Sequence, residues 1–310
     1  MSSVLTAVIP NSTSFDLSER EPLILPPLEV MLATIVGNFL SIFSQIIVIM
    51  ISLGLDGDNS AQTIMIVQSV AEIIKRVSTF PLVLCGLTGG DGWICLYLTD
   101  LVAYNLKEAV IRFARSIPDV LAFLLSFDRY IAIKYAAWYR ENCTRRTAWY
   151  VVAPALLIRV PDVALILWMS NWTTSGDGFS NTTSLHLSVV NTAVDVLGAV
   201  MVLANTIVTS FLIKEIVRRR NRGVTRQSNE SKANTVTRVL AIYSVIYSLF
   251  GVIQYALMLP IHIRVNETTF LLGGAAYLSS AIAQIVQAPI FLFISSMRQA
   301  LLKTLVRNGR

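Results

Sequence analysis

The sequence predicts an all-α membrane protein: seven spanning helices in one bundle, N-terminus outside, followed by a C-terminal helix on the membrane surface. Three observations predict it. Of 310 residues, 54% are hydrophobic and only 14% charged, against about 25% charged in soluble domains; mean hydropathy is +0.63. The apolar residues gather into seven runs of spanning length, about 20 residues of helix being enough to cross the hydrocarbon. Lys and Arg fall almost wholly on one side of those runs.

Residues 1–27 are polar, with prolines at 10, 22, 26 and 27, and read as an irregular extracellular tail. No basic start followed by a long apolar core marks a cleavable signal, so the first span is expected to serve for insertion. The bundle is expected over 28–294, with spans at about 28–53, 61–86, 105–134, 147–170, 187–217, 236–260 and 270–294. Residues 93–134 as one helix would measure about 63 Å, twice the hydrocarbon thickness. The part with Trp93, Cys95 and Asp100 therefore reads as an outer loop or a helical extension. Residues 295–310 carry Met297, Leu301, Leu302 and Leu305 at helical spacing and read as a cytoplasmic amphipathic helix on the membrane.

Orientation follows from the cations. The loops at 134–146 and 214–238 and the tail from 297 hold four, eight and four Lys and Arg, while the opposite side holds Arg20 and Arg264. The basic side faces the cytosol, which puts the sequons at Asn11, Asn171, Asn181 and Asn266 outside, available for glycosylation. The location expected is the plasma membrane, with the basic 218–238 loop meeting anionic lipid rather than nucleic acid.

The run VLAFLLS leads into FDRYIAIKY at 127–135. Asp128 and Arg129 thus lie at the inner edge of the third span, where a charge is costly without a partner. Higher on that span, Glu108, Arg112, Arg115 and Asp119 are spaced by 4, 3 and 4 and form one stripe. At 1.5 Å per residue, Asp119 is about 15 Å and Arg115 about 21 Å above Arg129. Glu72, Lys75 and Arg76 of the second span fall at similar heights, as do Arg159, Asp162 and Asp195. Five cations face five carboxylates. Such a layer is either a ligand pocket or a self-satisfied packing network.

These features together resemble the rhodopsin-like G-protein-coupled receptors, in the divergent form of nematode serpentine chemoreceptors (Srv/Srg-like). Gly37-Asn38 resembles the family's Gly-Asn pair in the first helix. VQSVAEII places Glu72 at the buried acid of the second, and Pro81 falls at a common proline. Asp128-Arg129-Tyr130 matches the third-helix triplet, and QAPIFLF keeps Pro289 of the seventh-helix pattern with Ala288 in place of Asn. Three features depart from the pattern. The sixth span has neither Trp nor a mid-helix Pro. The fifth has no Pro, and 170–186 has no Cys for the usual disulfide. Cys85 and Cys95 either pair with each other or stay free thiols.

The resemblance implies a receptor for an extracellular small-molecule cue, coupled to a heterotrimeric G protein through Asp128, Arg129 and Tyr130. Arg112 and Arg115 lead the pocket candidates, with Glu108, Asp119, Lys75 and Arg76 beside them; Asn38, Glu72 and Pro289 form the polar core. Glu72 with Asn38 is also a sodium candidate, although Lys75 and Arg76 compete for the carboxylate. No cofactor and no enzymatic activity are expected, and two histidines are too few for a metallohydrolase. A segment-seven lysine for retinal is absent. The rival reading is a transporter or ligand-gated channel whose charges line a path; no internal repeat supports it.

Overall fold

The computed structural model describes residues 28–55, 60–87, 101–158, 160–161, 164, 181–221, 228–258 and 267–308. Asn11, Cys95, Arg159, Asp162, Asn171 and Asn266 lie outside the described residues, as do the side chains of Cys85, Glu108, Arg112, Arg115 and Asn181. Among the described residues ten helices form and no strand occurs: α1 (Leu28–Gly54), α2 (Ser60–Leu87), α3 (Leu101–Lys134), α4 (Ala136–Asn142), α5 (Arg145–Leu157), α6 (Asn181–Asn221), α7 (Ser228–Met258), α8 (Glu267–Ile285), α9 (Gln287–Leu292) and α10 (Ser295–Asn308). The long helices close a ring. Each of α1, α2, α3, α6, α7 and α8 packs on the next, and α8 returns to α1, while α5 packs against α2 and α3.

The ring is polar inside and apolar outside. On α1, Thr34, Asn38, Ser41, Ser44 and Gln45 are buried, at helical spacing. Phe39 and Phe43 on the other face are 62% and 64% exposed. A helix on a water-soluble core carries the reverse pattern. In hydrocarbon, polar side chains must find partners in the bundle, and apolar ones can face the lipid. Among the described residues, four helices are long and apolar enough to cross a membrane: Leu28–Gly54, Asp195–Arg219, Val236–Met258 and Leu271–Leu292. Seven runs were expected; α2 falls outside this class because it carries Glu72, Lys75 and Arg76, and α3 because it carries the stripe from Glu108 to Asp119 with Asp128 and Arg129, while the run expected over 147–170 is described only in part.

Pro289 has no N–H, and its neighbourhood shows how the ring absorbs that loss. The chain makes a turn at Val286 between α8 and α9. Ser44 Oγ of α1 donates to the Gln284 carbonyl at 2.7 Å, lies 3.3 Å from that of Ile285, and accepts the Ala288 N–H at 3.2 Å. One hydroxyl from a neighbouring helix thus serves the carbonyls and the amide that the interrupted helix leaves over.

The last turn of α3 gives way at Tyr135 to the short α4. Helix α5 then starts on a capping box: Thr144 Oγ1 accepts the Thr147 N–H, and Thr147 Oγ1 accepts the Thr144 N–H at 2.8 Å. This elbow turns Tyr139 back under the end of α3. The tail helix α10 docks on α1, where Thr304 Oγ1 donates to the Met50 carbonyl at 2.9 Å. Gly54 lies so close to the Ala300 carbonyl that a Cβ would overlap it. The buried face of α10 is Met297, Ala300 and Thr304, whereas the expected stripe included Leu302 and Leu305. Those two are exposed, as suits side chains beside lipid.

Candidate functional site

Two polar constellations sit in the ring. The first closes the Arg129 end. Arg129 is buried, and its Nε donates to Asp128 Oδ2 at 2.9 Å. The Tyr139 hydroxyl lies 3.1 and 3.0 Å from the two Asp128 oxygens, accepts from Arg129 Nη2, and sits 2.7 Å from Ser60 Oγ. Ser60 also donates to Asp128. The guanidinium stands over the Tyr139 ring at 5.3 Å from its centroid. Three helices, α2, α3 and α4, therefore hold one buried ion pair. Burial pushes the Tyr139 phenol above its ordinary value, so it remains a neutral donor at physiological pH. Burial also pushes the Cys143 thiol up, with the Asp128 charge adding to it.

Tyr130 belongs to a different neighbourhood. Its hydroxyl accepts from Lys134 at 2.9 Å, and its ring lies 6.5 Å from that of Phe211 on α6. Arg219 of α6 donates to the Ile133 carbonyl. The end of α3 is thereby tied to α6 on the side away from Asp128.

The second constellation is the charged layer. On α2, Lys75 Nζ and Arg76 Nε lie 3.6 and 3.7 Å from the Glu72 oxygens, and Gln284 Nε2 donates to Glu72 Oε1 at 2.9 Å. Arg76 Nη2 donates to Ser280 Oγ of α8 at 2.8 Å, and the Tyr277 ring lies 4.6 Å from the guanidinium. Asp119 of α3 accepts from the Tyr247 and Tyr255 hydroxyls of α7 at 2.7 and 2.6 Å. Asp195 is buried on α6. Below Glu72, Gln45 Nε2 donates to Gln284 and Gln287 at 2.8 and 2.9 Å.

Asn38 does not meet Glu72. It donates to Thr79 at 3.1 Å and accepts from Tyr277. The candidate sodium pair is therefore not brought together, and Glu72 faces the two cationic side chains that compete for it. Among the described residues, no group of three His, Cys, Asp or Glu side chains is placed to hold a metal.

The family described as 7 transmembrane receptor (rhodopsin family) matches residues 110–295. That is more than half of the chain. The chain belongs to the rhodopsin family of seven-transmembrane receptors. No curated protein matches it. Membership makes the receptor a membrane-embedded, generally non-enzymatic signalling protein of the G-protein-coupled class, and it does not favour the transporter or channel reading.

Within the receptor, the structure brings Asp128 and Arg129 together and sets Tyr130 apart from them. It brings Glu72, Lys75 and Arg76 together, and gives Asp119 phenolic partners where a cationic one was expected. Sequence reasoning missed Ser60 and Tyr139, whose approach depends on the Tyr135 elbow. It also missed Tyr247 and Tyr255, whose spacing of eight, two helical turns, was a readable sign of one shared face.

Proposed function

We propose that this receptor detects an extracellular small-molecule cue, in the chemosensory manner of nematode serpentine receptors, and activates a heterotrimeric G protein through Asp128-Arg129-Tyr130. The observation that supports it best is the closed Arg129 site: a buried guanidinium held by Asp128 and Tyr139 at a helix end. A buried cation requires a partner, so exchanging Asp128 for acceptors on an intracellular protein changes the state of the bundle. The guanidinium suits such an exchange because its charge is fixed and its donors form a planar fork.

In this reading seven spans cross the plasma membrane, with the N-terminus outside and α10 on the inner surface. The charged layer is the pocket, with Arg112 and Arg115 as first contacts, supported by Glu108, Lys75 and Arg76. Cys85 and Cys95 are the candidates for an outer disulfide, and Asn11, Asn171, Asn181 and Asn266 are the glycosylation sites. The test is nucleotide exchange by the receptor in nanodiscs against a panel of purified heterotrimers, with and without a ligand library. Ligand-dependent exchange that Arg129→Gln abolishes is the expected result. Exchange that survives Arg129→Gln overturns the switch. An unchanged concentration–response in Arg112→Ala/Arg115→Ala, at equal surface expression, overturns the pocket. Ligand-gated current without exchange favours a channel.

A further inference from the structure

Asp119 was a candidate ligand contact, yet both its oxygens are taken by phenols of α7. Tyr247 donates to Oδ1 at 2.7 Å and Tyr255 to Oδ2 at 2.6 Å. All three residues are buried, at 7%, 5% and 8% exposure. The two tyrosines are eight residues apart, so one carboxylate bridges two turns of α7. Helix α6 completes the arrangement. Gly198 lies against the Tyr255 hydroxyl so closely that a Cβ would overlap it. Glycine at 198 is thus what lets Tyr255 reach across to α3. Among the described side chains, the charged groups that act on the carboxylate are Lys75 and Glu72 of α2, the former attracting and the latter repelling it.

Below this fork, two neutral bonds tie α7 to its neighbours. Ser126 Oγ donates to Ser244 Oγ at 2.8 Å, and Asn205 Nδ2 donates to Ser248 Oγ at 2.9 Å. A hydrogen bond to a buried charge is about twice as strong as a neutral one. The Asp119 fork is therefore the dominant polar tie between α3 and α7 among the described residues. It also adjoins the charged layer through Lys75, which reaches Ser280 of α8 at 3.4 Å.

We propose that Asp119 is a positioning residue: its fork with Tyr247 and Tyr255 latches α7 against α3 in the resting receptor, and a change at Lys75 on ligand entry releases it. This deepens the receptor reading and rests on it for the statement that α7 moves. The latch stands in a span that has neither Trp nor a mid-helix Pro, so a polar tie does the work of holding the helix.

The test needs no ligand and no G protein. An environment-sensitive fluorophore is placed at Arg238→Cys, an exposed site near the cytosolic end of α7, in full-length receptor carrying Cys143→Ser. The same protein with Arg238 retained is the blank. Tyr255→Phe and Tyr247→Phe each remove one oxygen and keep the ring. Each is expected to shift the closed-to-open equilibrium of the label by about ten- to a hundredfold, the range for one hydrogen bond to a charge. Gly198→Ala, which displaces Tyr255 without touching Asp119, is expected to act like Tyr255→Phe. The double variant Asp119→Asn/Tyr255→Phe is expected to go no further than Asp119→Asn, because both break one unit.

A purely structural role predicts instead lower melting temperatures, additive effects and an unmoved label. An unmoved label in both phenylalanine variants, while Arg129→Gln moves it, overturns the latch alone. If Arg129→Gln also leaves it unmoved, the moving-helix reading falls and the latch with it.

Discussion

Tyr139→Phe isolates the element that closes the Arg129 site, because it removes one oxygen and keeps the ring under the guanidinium. The lost hydroxyl lies 3.0–3.1 Å from both Asp128 oxygens and 2.7 Å from Ser60, and it accepts from Arg129. Hydrogen bonds to charged groups contribute about 1.5–3 kcal/mol each. The ring contact at 5.3 Å survives, and Ser60 still serves Asp128. A net loss of about 2–3 kcal/mol follows, or roughly 30- to 140-fold in the resting-to-active equilibrium at 1.4 kcal/mol per decade. With an active fraction of about 1% at rest, Tyr139→Phe raises it to about a quarter or more. The assay is ligand-free nucleotide exchange in nanodiscs, normalised to folded receptor. A rise of about twentyfold or more is expected. A rate within twofold of the parent would refute the view that Tyr139 holds the ion pair closed.

The remaining predictions concern burial and charge. Glu72→Gln leaves Lys75 and Arg76 buried without their carboxylate, a loss of about 3–5 kcal/mol, read as failed surface expression; Glu72→Gln/Arg76→Gln is expected to recover part of it. Ser44→Ala strips the partner from the Gln284 carbonyl and the Ala288 amide beside Pro289, and is expected to cost about 1–3 kcal/mol in thermal melting. Because burial raises the Tyr139 phenol, its stabilisation is complete below about pH 10 and is lost only as pH climbs through the folded-state value. The Arg238→Cys label should therefore stay flat from pH 7 to 9 in the parent, and stay flat at a more open level in Tyr139→Phe; a parent label that opens within that range would contradict the shift. The Cys143 thiol, pushed up by burial and by Asp128, should alkylate more slowly than a free cysteine at pH 8; Asp128→Asn should speed it.

The all-helical, membrane-embedded class was legible because hydropathy is a property of composition and local order. A run such as LATIVGNFLSIFSQIIVIM needs no tertiary context to be read. The same local reading could weigh Glu72, Lys75 and Arg76 as a cluster, since helical spacing alone puts them on adjacent turns. It failed where a partner arrives from far along the chain. Nothing around residue 139 signals that its phenol reaches Asp128, because the approach is made by the bend at Tyr135 and the cap at Thr144. Asp119 was weighed against lysines and arginines by count, yet proximity in the ring gave it Tyr247 and Tyr255. Ser44 looked like an unremarkable helix serine; its role appears only where Pro289 breaks the neighbouring helix. On α10 the apolar residues spread round most of the helix, and packing against Gly54, not periodicity, selected the buried side.

The central claim is that Arg129 exchanges Asp128 for an intracellular G protein. The most direct measurement is capture of nucleotide-free heterotrimer by purified receptor in nanodiscs, comparing the parent with Arg129→Gln. The claim predicts a stable complex with at least one heterotrimer class that guanine nucleotide dissolves and Arg129→Gln cannot form. Equal capture by both proteins, or capture of no class by either, would contradict it.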